Sequence, residues 1–320
     1  TLNNNIILRK NLRSEEGSRS TTWTFAGPEI HYTTKYDAGA PSIPISDHAN
    51  IHSIDQCASK PDILYCGGET GGVYKTINKG LNWEHVTKGY YMNTIRALAV
   101  NPNNPDEVIA TSEGELWKTS DGGVTWYITG DASFQAIYIT AYDIVYNPEN
   151  PSIVYAGCEQ GFFRSTDGGE NWTEILDHFC MSVAVKPDNP AIIYTLQYDP
   201  VTKIPYFKKS FDYGVSFTTY NEGWFEVPAV DAGKIESLGG RIAVTEANPD
   251  KVYVLLVGES NATAVLQLRG TIGVYVSNDG GESWNFPHEL LGMPYNVDTH
   301  PNLMDFDGHS SDYDQIYYNT

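Results

Sequence analysis

The chain has 320 residues and carries 40 Asp and Glu against 20 Lys and Arg, a formal net charge of −20. That balance argues against a nucleic-acid binder, because phosphate neutralisation requires Lys and Arg, and disfavours docking to an anionic membrane surface. No stretch approaches the ~18 apolar residues of a membrane span, and 22 Tyr, 7 Trp, 29 Gly and 17 Pro describe short strands and turns rather than helices.

In chain order, residues 1–22 are polar and include "RSEEGSRS", which reads as an extended arm. Residues 23–50 bear Pro and Gly and are expected to wrap the folded body, so that 1–50 form an arm and wrapping segment and 51–320 the domain. No signal peptide opens the sequence, which fits a mature, trimmed or cytosolic chain.

From Ile51 a unit recurs. Each copy opens with an apolar alternating segment ("RALAV", "MSVAV", "RIAV") and a turn holding Pro61, Pro105, Pro151, Pro190 or Pro249. A β-branched run follows ("DILYC", "EVIAT", "SIVYA", "AIIYT", "KVYVLL"), then a third short strand such as "ELWKT". Next comes a box, Ser/Thr-x-Asp/Asn-x-Gly-x-x-Trp/Phe: "TINKGLNW" (76–83), "TSDGGVTW" (119–126), "STDGGENW" (165–172), "SFDYGVSF" (210–217) and "SNDGGESW" (277–284). A fourth strand leaves each box.

Four antiparallel strands in a unit of roughly 45 residues are the signature of a β-propeller blade, with the box as the turn between the third and fourth strands. The expected blades are about 51–93, 94–136, 137–178, 179–228 and 229–290, with a partial sixth at 291–320. The partial unit predicts either closure on the N-terminal segment or, preferably, a polypeptide that continues past Thr320, since native sheets avoid open edges. Blade 5 carries an insertion between Pro249 and its box, and a long connection, 221–240, precedes it.

The box chemistry is local. Asn78, Asp121, Asp167, Asp212 and Asp279 are placed to accept backbone N–H bonds across the turn, Gly to supply a positive φ, and the hydroxyl to tie the turn ends. Trp83, Trp126, Trp172, Phe217 and Trp284 are expected to pack between sheets. Recurrence in every blade, with Asn78 and Phe217 as variants, makes the box architecture and not a catalytic centre.

Candidate function lies elsewhere. Glu69, Glu113 and Glu159 each stand eight residues after a turn proline, with Asp199 at nine and Glu259 at ten. All five are expected at the end of a second strand, so radial symmetry would gather them on one face, either as a solvated surface or as an electronegative mouth for a cation or a basic partner. A neutral glycan would instead use aromatic faces, with Trp224 and Phe225 as candidates. "VDTHPNLMDFDGH" (297–309) clusters Asp298, His300, Asp305, Asp307 and His309. Its spacing matches no standard metal loop, so it reads as a hydrogen-bonded corner, with a structural cation as the alternative. No other cofactor is expected. The four Cys make no disulfide scaffold; Cys158 and Cys180 either meet between blades or stay buried as thiols.

The boxes are identified as Asp-box (BNR) repeats, and residues 50–320 resemble the propellers that carry them: sialidases, sortilin-type receptors, two-propeller xyloglucanases and large secreted Bacteroidota proteins. "GGVYKTINKGLNW" with "KPDILYCGGET", and the opening "WTFAGPEI", are most similar to the last two groups. The xyloglucanase resemblance implies a catalytic carboxylate at Glu69, because "YCGGETGGVY" follows Tyr-Ala-Arg-Thr-Asp-x-Gly-Gly-Ala-Tyr with Gly67 in place of the Arg. That family's second carboxylate comes from a second propeller, and hydrolysis needs a carboxyl pair about 5–9.5 Å apart. A sialidase needs three converging arginines; the repeats offer Arg96, Arg164, Arg241 and Arg269, with Arg164 directly before a box. The resemblance implies a secreted or cell-surface scaffold that binds a protein or glycan at one face. It would belong to a larger exported protein handled by type IX secretion machinery, with a xyloglucanase-like hydrolase as the alternative.

Overall fold

A computed structural model describes residues 50–199, 201, 204–224, 235–263 and 266–285 of the chain. The arm and wrapping segment up to residue 49, Phe225 and the partial sixth unit lie outside the described residues.

The described chain is a succession of antiparallel sheets. Blade 1 contains β1 (Ile51–Gln56), β2 (Leu64–Gly68), β3 (Val73–Thr76) and β4 (Glu84–His85). Blade 2 contains β5 (Leu98–Val100), β6 (Val108–Ser112), β7 (Glu115–Thr119) and β8 (Tyr127–Ile128). A one-turn helix, α1 (Ala132–Gln135), capped by the Asp131 carboxylate, leads into blade 3. Blade 3 is β9 (Ala141–Tyr146), β10 (Val154–Cys158), β11 (Gly161–Ser165) and β12 (Thr173–Asp177), and blade 4 is β13 (Cys180–Val185), β14 (Ile193–Tyr198), β15 (Pro205–Ser210) and β16 (Thr218–Thr219). Blade 5 contributes β17 (Ile235–Val244), β18 (Val252–Thr263) and β19 (Leu266–Ser277). Within each sheet the strands pair in chain order, and the first strands β1, β5, β9, β13 and β17 lie beside one another in succession. These are the blades of a β-propeller.

The extra length of blade 5 between Pro249 and its box lies in one hairpin. Its extra residues lengthen β18 and β19 to twelve residues each, and after the box the described residues hold a bridge between Val276 and Asn285.

Each box is the turn between the third and fourth strands, as its chemistry requires. In the third box Ser165 Oγ donates to Asp167 Oδ1 at 2.8 Å and accepts from Gly169 N at 2.8 Å. Asp167 Oδ1 accepts from the N–H groups of Glu170 (3.1 Å) and Asn171 (2.9 Å). Asn78 plays the same part with its amide oxygen, accepting from Asn82 N at 3.0 Å. The residues at the fourth and fifth box positions take positive φ in every copy: Gly168 and Gly169 at 73° and 88°, but Lys79 at 58° and Tyr213 at 58° where Gly is absent. The weaker copies therefore keep the turn with a side chain in the left-handed region, at a cost.

These hydrogen bonds hold the box carboxylates below their usual range. Asp212 is pulled to about 2, first by the Ser216 hydroxyl, and Asp279 to about 2 by Ser277 and Ser283 against the opposing effect of burial. A carboxyl that ionises more readily when folded stabilises the fold fully above its unfolded value, near 4, and loses that contribution as pH falls through its folded value. Stability of the wild type should therefore decline between about pH 4 and pH 2, and the decline should be shallower in an Asp212→Asn/Asp279→Asn variant, measured by chemical denaturation across that range.

Adjacent blades are joined in two ways. The box aromatics of blades 2–5 pack on the blade before their own: Trp126 Nε1 donates to Val86 O (3.0 Å), Trp172 Nε1 to Thr129 Oγ1 (3.1 Å), Phe217 meets Phe162, and Trp284 meets Phe207 at 4.6 Å, whereas Trp83 of blade 1, expected between sheets, is exposed. Conversely, in blades 1–4 the residue just before the box hydroxyl reaches forward to the next box. Lys75 Nζ donates to Gly122 O (3.1 Å), Lys118 to Glu170 (2.6 Å), Arg164 Nε to Tyr213 O (2.7 Å) and Lys209 to Glu282 (2.9 Å). Val276 holds that place in blade 5.

The four cysteines are buried free thiols. Burial pushes Cys158 and Cys180 far up, so neither is a ready nucleophile.

Candidate functional site

The register identifies equivalent positions without ambiguity. In all five blades one second-strand residue pairs with the box Ser or Thr: Leu64, Val108, Val154, Ile193 and Val252. Five residues further along stand Glu69, Glu113, Glu159, Tyr198 and Val257. Three carboxylates of the acidic column thus share a structural position, at the end of the blade opposite the box. Asp199 and Glu259 do not. Asp199 lies one step beyond and accepts Val201 N–H into its own turn at 2.7 Å, while Glu259 is inside the lengthened β18. The position is acidic in blades 1–3 and carries a buried Tyr and a buried Val in blades 4 and 5.

Each of the three is held differently. Glu69 N–H donates to Asn50 O (2.8 Å), the Asn50 amide donates to Glu69 Oε2 (2.6 Å), and Thr94 Oγ1 donates to the Glu69 carbonyl (2.8 Å). Glu113 and Gly114 form the tip of the β6–β7 hairpin with φ of 53° and 82°, the sign pattern of a type I′ turn. A Cβ on Gly114 would lie 2.4 Å from the Tyr138 ring, so only glycine lets that ring close over the tip. Glu159 N–H is fixed by Thr140 O at 2.9 Å.

Glu113 and Glu159 line one cavity of about 200 Å³ between blades 2 and 3, together with Ser112, Arg96, Tyr138 and Tyr142. The Arg96 guanidinium lies over the Tyr142 ring, 5.7 Å from its centroid. Glu69 belongs to the same neighbourhood: burial holds the His52 imidazole below its usual value, Glu69 opposing and Arg96 adding to the effect.

A second cavity, of about 330 Å³, runs between the first strands of blades 1–3 and contains Asp55 and Asp143. Both carboxylates are committed to neighbouring blades. Asp55 Oδ2 accepts Val100 N–H (2.8 Å), and Asp143 Oδ2 accepts Val183 N–H (2.9 Å) and the Ser182 hydroxyl (3.1 Å). Burial raises Asp143, with Arg241 opposing.

Trp224 requires a correction. Its connection resembles an exposed loop, but the indole is 6% exposed, donates to Pro205 O (2.8 Å) and packs against Phe207, Tyr275 and Trp284. It fills the seam between blades 4 and 5 and presents no face to a ligand. Among the described residues no three arginines converge as in sialidases: Arg164 serves a box, and Arg241 donates to the carbonyls of Met181 and Tyr142. Asp298, His300 and Asp305 lie outside the described residues, and among those described no group of three His, Cys, Asp or Glu is placed to hold a metal ion.

Sequence and fold comparisons agree with this architecture. Residues 71–223 match the model of the Sortilin-Vps10 family, described as "Sortilin, neurotensin receptor 3". A GH74 enzyme from Niastella koreensis superimposes with a TM-score of 0.55 at 18% identity, over 74% of this chain and 38% of that one. The chain is a β-propeller, similar over part of its length to the Sortilin-Vps10 family and in fold to GH74 enzymes. The GH74 xyloglucanase from Xanthomonas campestris gives a TM-score of 0.57 at 16% identity, over 75% of this chain and 38% of its own. This propeller chain thus spans about two fifths of the length of either enzyme. No curated protein matches it by sequence. No helix among the described residues is long and apolar enough to cross a membrane.

Proposed function

We propose that this propeller is a binding module of a secreted or cell-surface protein, and that its partner docks on the face opposite the boxes, in the sector of blades 1–3. One observation carries the reading: Glu113 and Glu159, equivalent residues of adjacent blades, line a shared cavity on that face with Arg96 and two tyrosines. The box end is committed to structure, whereas these carboxylates are exposed. Membership of a larger type IX-exported protein is part of the same reading and rests on resemblance.

The test caps one face at a time. All four native thiols are buried, so a single introduced cysteine can be coupled selectively to a maleimide-polyethylene glycol. Tyr138→Cys (62% exposed, at the cavity) and Val124→Cys (78% exposed, in a box) give the two positions. Binding to arrayed peptides or glycans should disappear with the cap at 138 and survive it at 124; the reverse outcome would overturn the proposal. Release of reducing sugar from xyloglucan, abolished by Glu69→Gln, would favour the hydrolase reading, to which the Asn50-held Glu69 carboxylate lends its geometry.

A further inference from the structure

The cavity between blades 2 and 3 holds a group that the fold leaves unused. Ser112 lines it, is 2% exposed, and its Oγ has no hydrogen-bond partner. Neighbouring hydroxyls are engaged: Thr94 Oγ1 donates to Glu69 O, and Thr111 Oγ1 accepts Ala141 N–H at 3.3 Å. Buried hydroxyls are paired as a rule, and Ser112 is the unpaired hydroxyl at the wall of this cavity, left to a group that binds there.

We propose that this cavity receives the cationic end of a lysine or arginine side chain presented by a partner polypeptide; this rests on the face assigned above and names its ligand. An ammonium or guanidinium carries donors only. The wall supplies matching acceptors, the Glu113 and Glu159 carboxylates and the Ser112 oxygen. At about 200 Å³ the cavity suits one side chain better than an oligosaccharide, whose sites run to several hundred cubic ångströms. The exposed Tyr138 ring offers apolar surface to the alkyl stem. Arg96 opposes a second cation, so binding requires both carboxylates. The net charge of −20 draws a basic partner toward the protein, while the cavity decides where its side chain stops.

The experiment titrates the folded chain with Gly–Lys, Gly–norleucine and Gly–Glu copolymer peptides, by calorimetry at low and physiological salt, with hydrogen exchange to locate protection. The variants are Glu113→Gln/Glu159→Gln, Ser112→Ala, and a charge-matched control, Glu149→Gln/Glu246→Gln, in exposed turns at the box end. The Gly–Lys peptide should protect Thr111–Gly114 and Thr140, weaken about tenfold in the double site variant and less in Ser112→Ala, and be nearly unchanged in the control. Equal weakening in site and control variants would mean diffuse charge attraction and overturn the inference. Equal protection of this face by the norleucine or Glu peptide would overturn it while leaving the docking face in place. Protection elsewhere, or none with any peptide, would overturn both.

Discussion

Trp284→Ala should destabilise the propeller by about 3–5 kcal/mol, whereas Trp83→Ala, the same box position in blade 1, should cost under about 1 kcal/mol. Trp284 is 4% exposed and wedged against Phe207 and Trp224, both buried. Its removal opens a cavity in the seam between blades 4 and 5 that rigid sheets cannot collapse to fill. Trp83 is 37% exposed, and the Leu81 beside it is 76% exposed. Trp284→Phe should lose much less than the alanine variant, because Phe217 already serves blade 4 and the Trp284 Nε1 has no partner to lose. Urea denaturation of the three variants checks the order; equal losses at 83 and 284 would refute seam packing as the role of the box aromatic.

Asp167→Ala should cost about 1–3 kcal/mol by leaving turn N–H groups without an acceptor, and Asp167→Asn should cost a fraction of that. The comparison follows from blade 1, where Asn78 Oδ1 accepts from Thr76 Oγ1 and Asn82 N–H in the geometry that Asp167 uses for Ser165 and Asn171. Ligand affinity of the folded fraction should be unchanged in both variants. An affinity loss at an unchanged melting temperature would make the box a binding site after all.

The boxes were legible in the sequence because their bonding closes within eight residues, so no distant partner is needed to predict it. The ladder of blades was legible for a related reason: the spacing from turn proline to box-paired residue is constant. The same constancy shows where the acidic column went astray. Eight residues after Pro190 and Pro249 stand Tyr198 and Val257, and admitting Asp199 and Glu259 meant stretching a spacing that the hydrogen bonds keep fixed. Trp224 failed differently. The residues just before it are polar and Gly-bearing, and its position is made apolar by Phe207, Tyr275 and Trp284, the last two more than fifty residues away. α1 carried a signal in the capping Asp131, but a single turn has no periodicity to read. Nor could the cavity be foreseen, since it depends on which hairpin tips of two blades face each other.

The forward-reaching cations give the assembly a direction. Lys75, Lys118, Arg164 and Lys209 each find their partner in the sheet that follows, so a blade is complete only once its successor has arrived. A chain emerging from the ribosome would hold each new lysine or arginine at a provisional edge, solvated, until the next turn comes to meet it. Neighbour-to-neighbour coupling of this kind makes the protein respond to damage like a zip. A lesion at one seam parts the sheets on either side of it, while more distant sheets, whose own pairs are intact, stay shut.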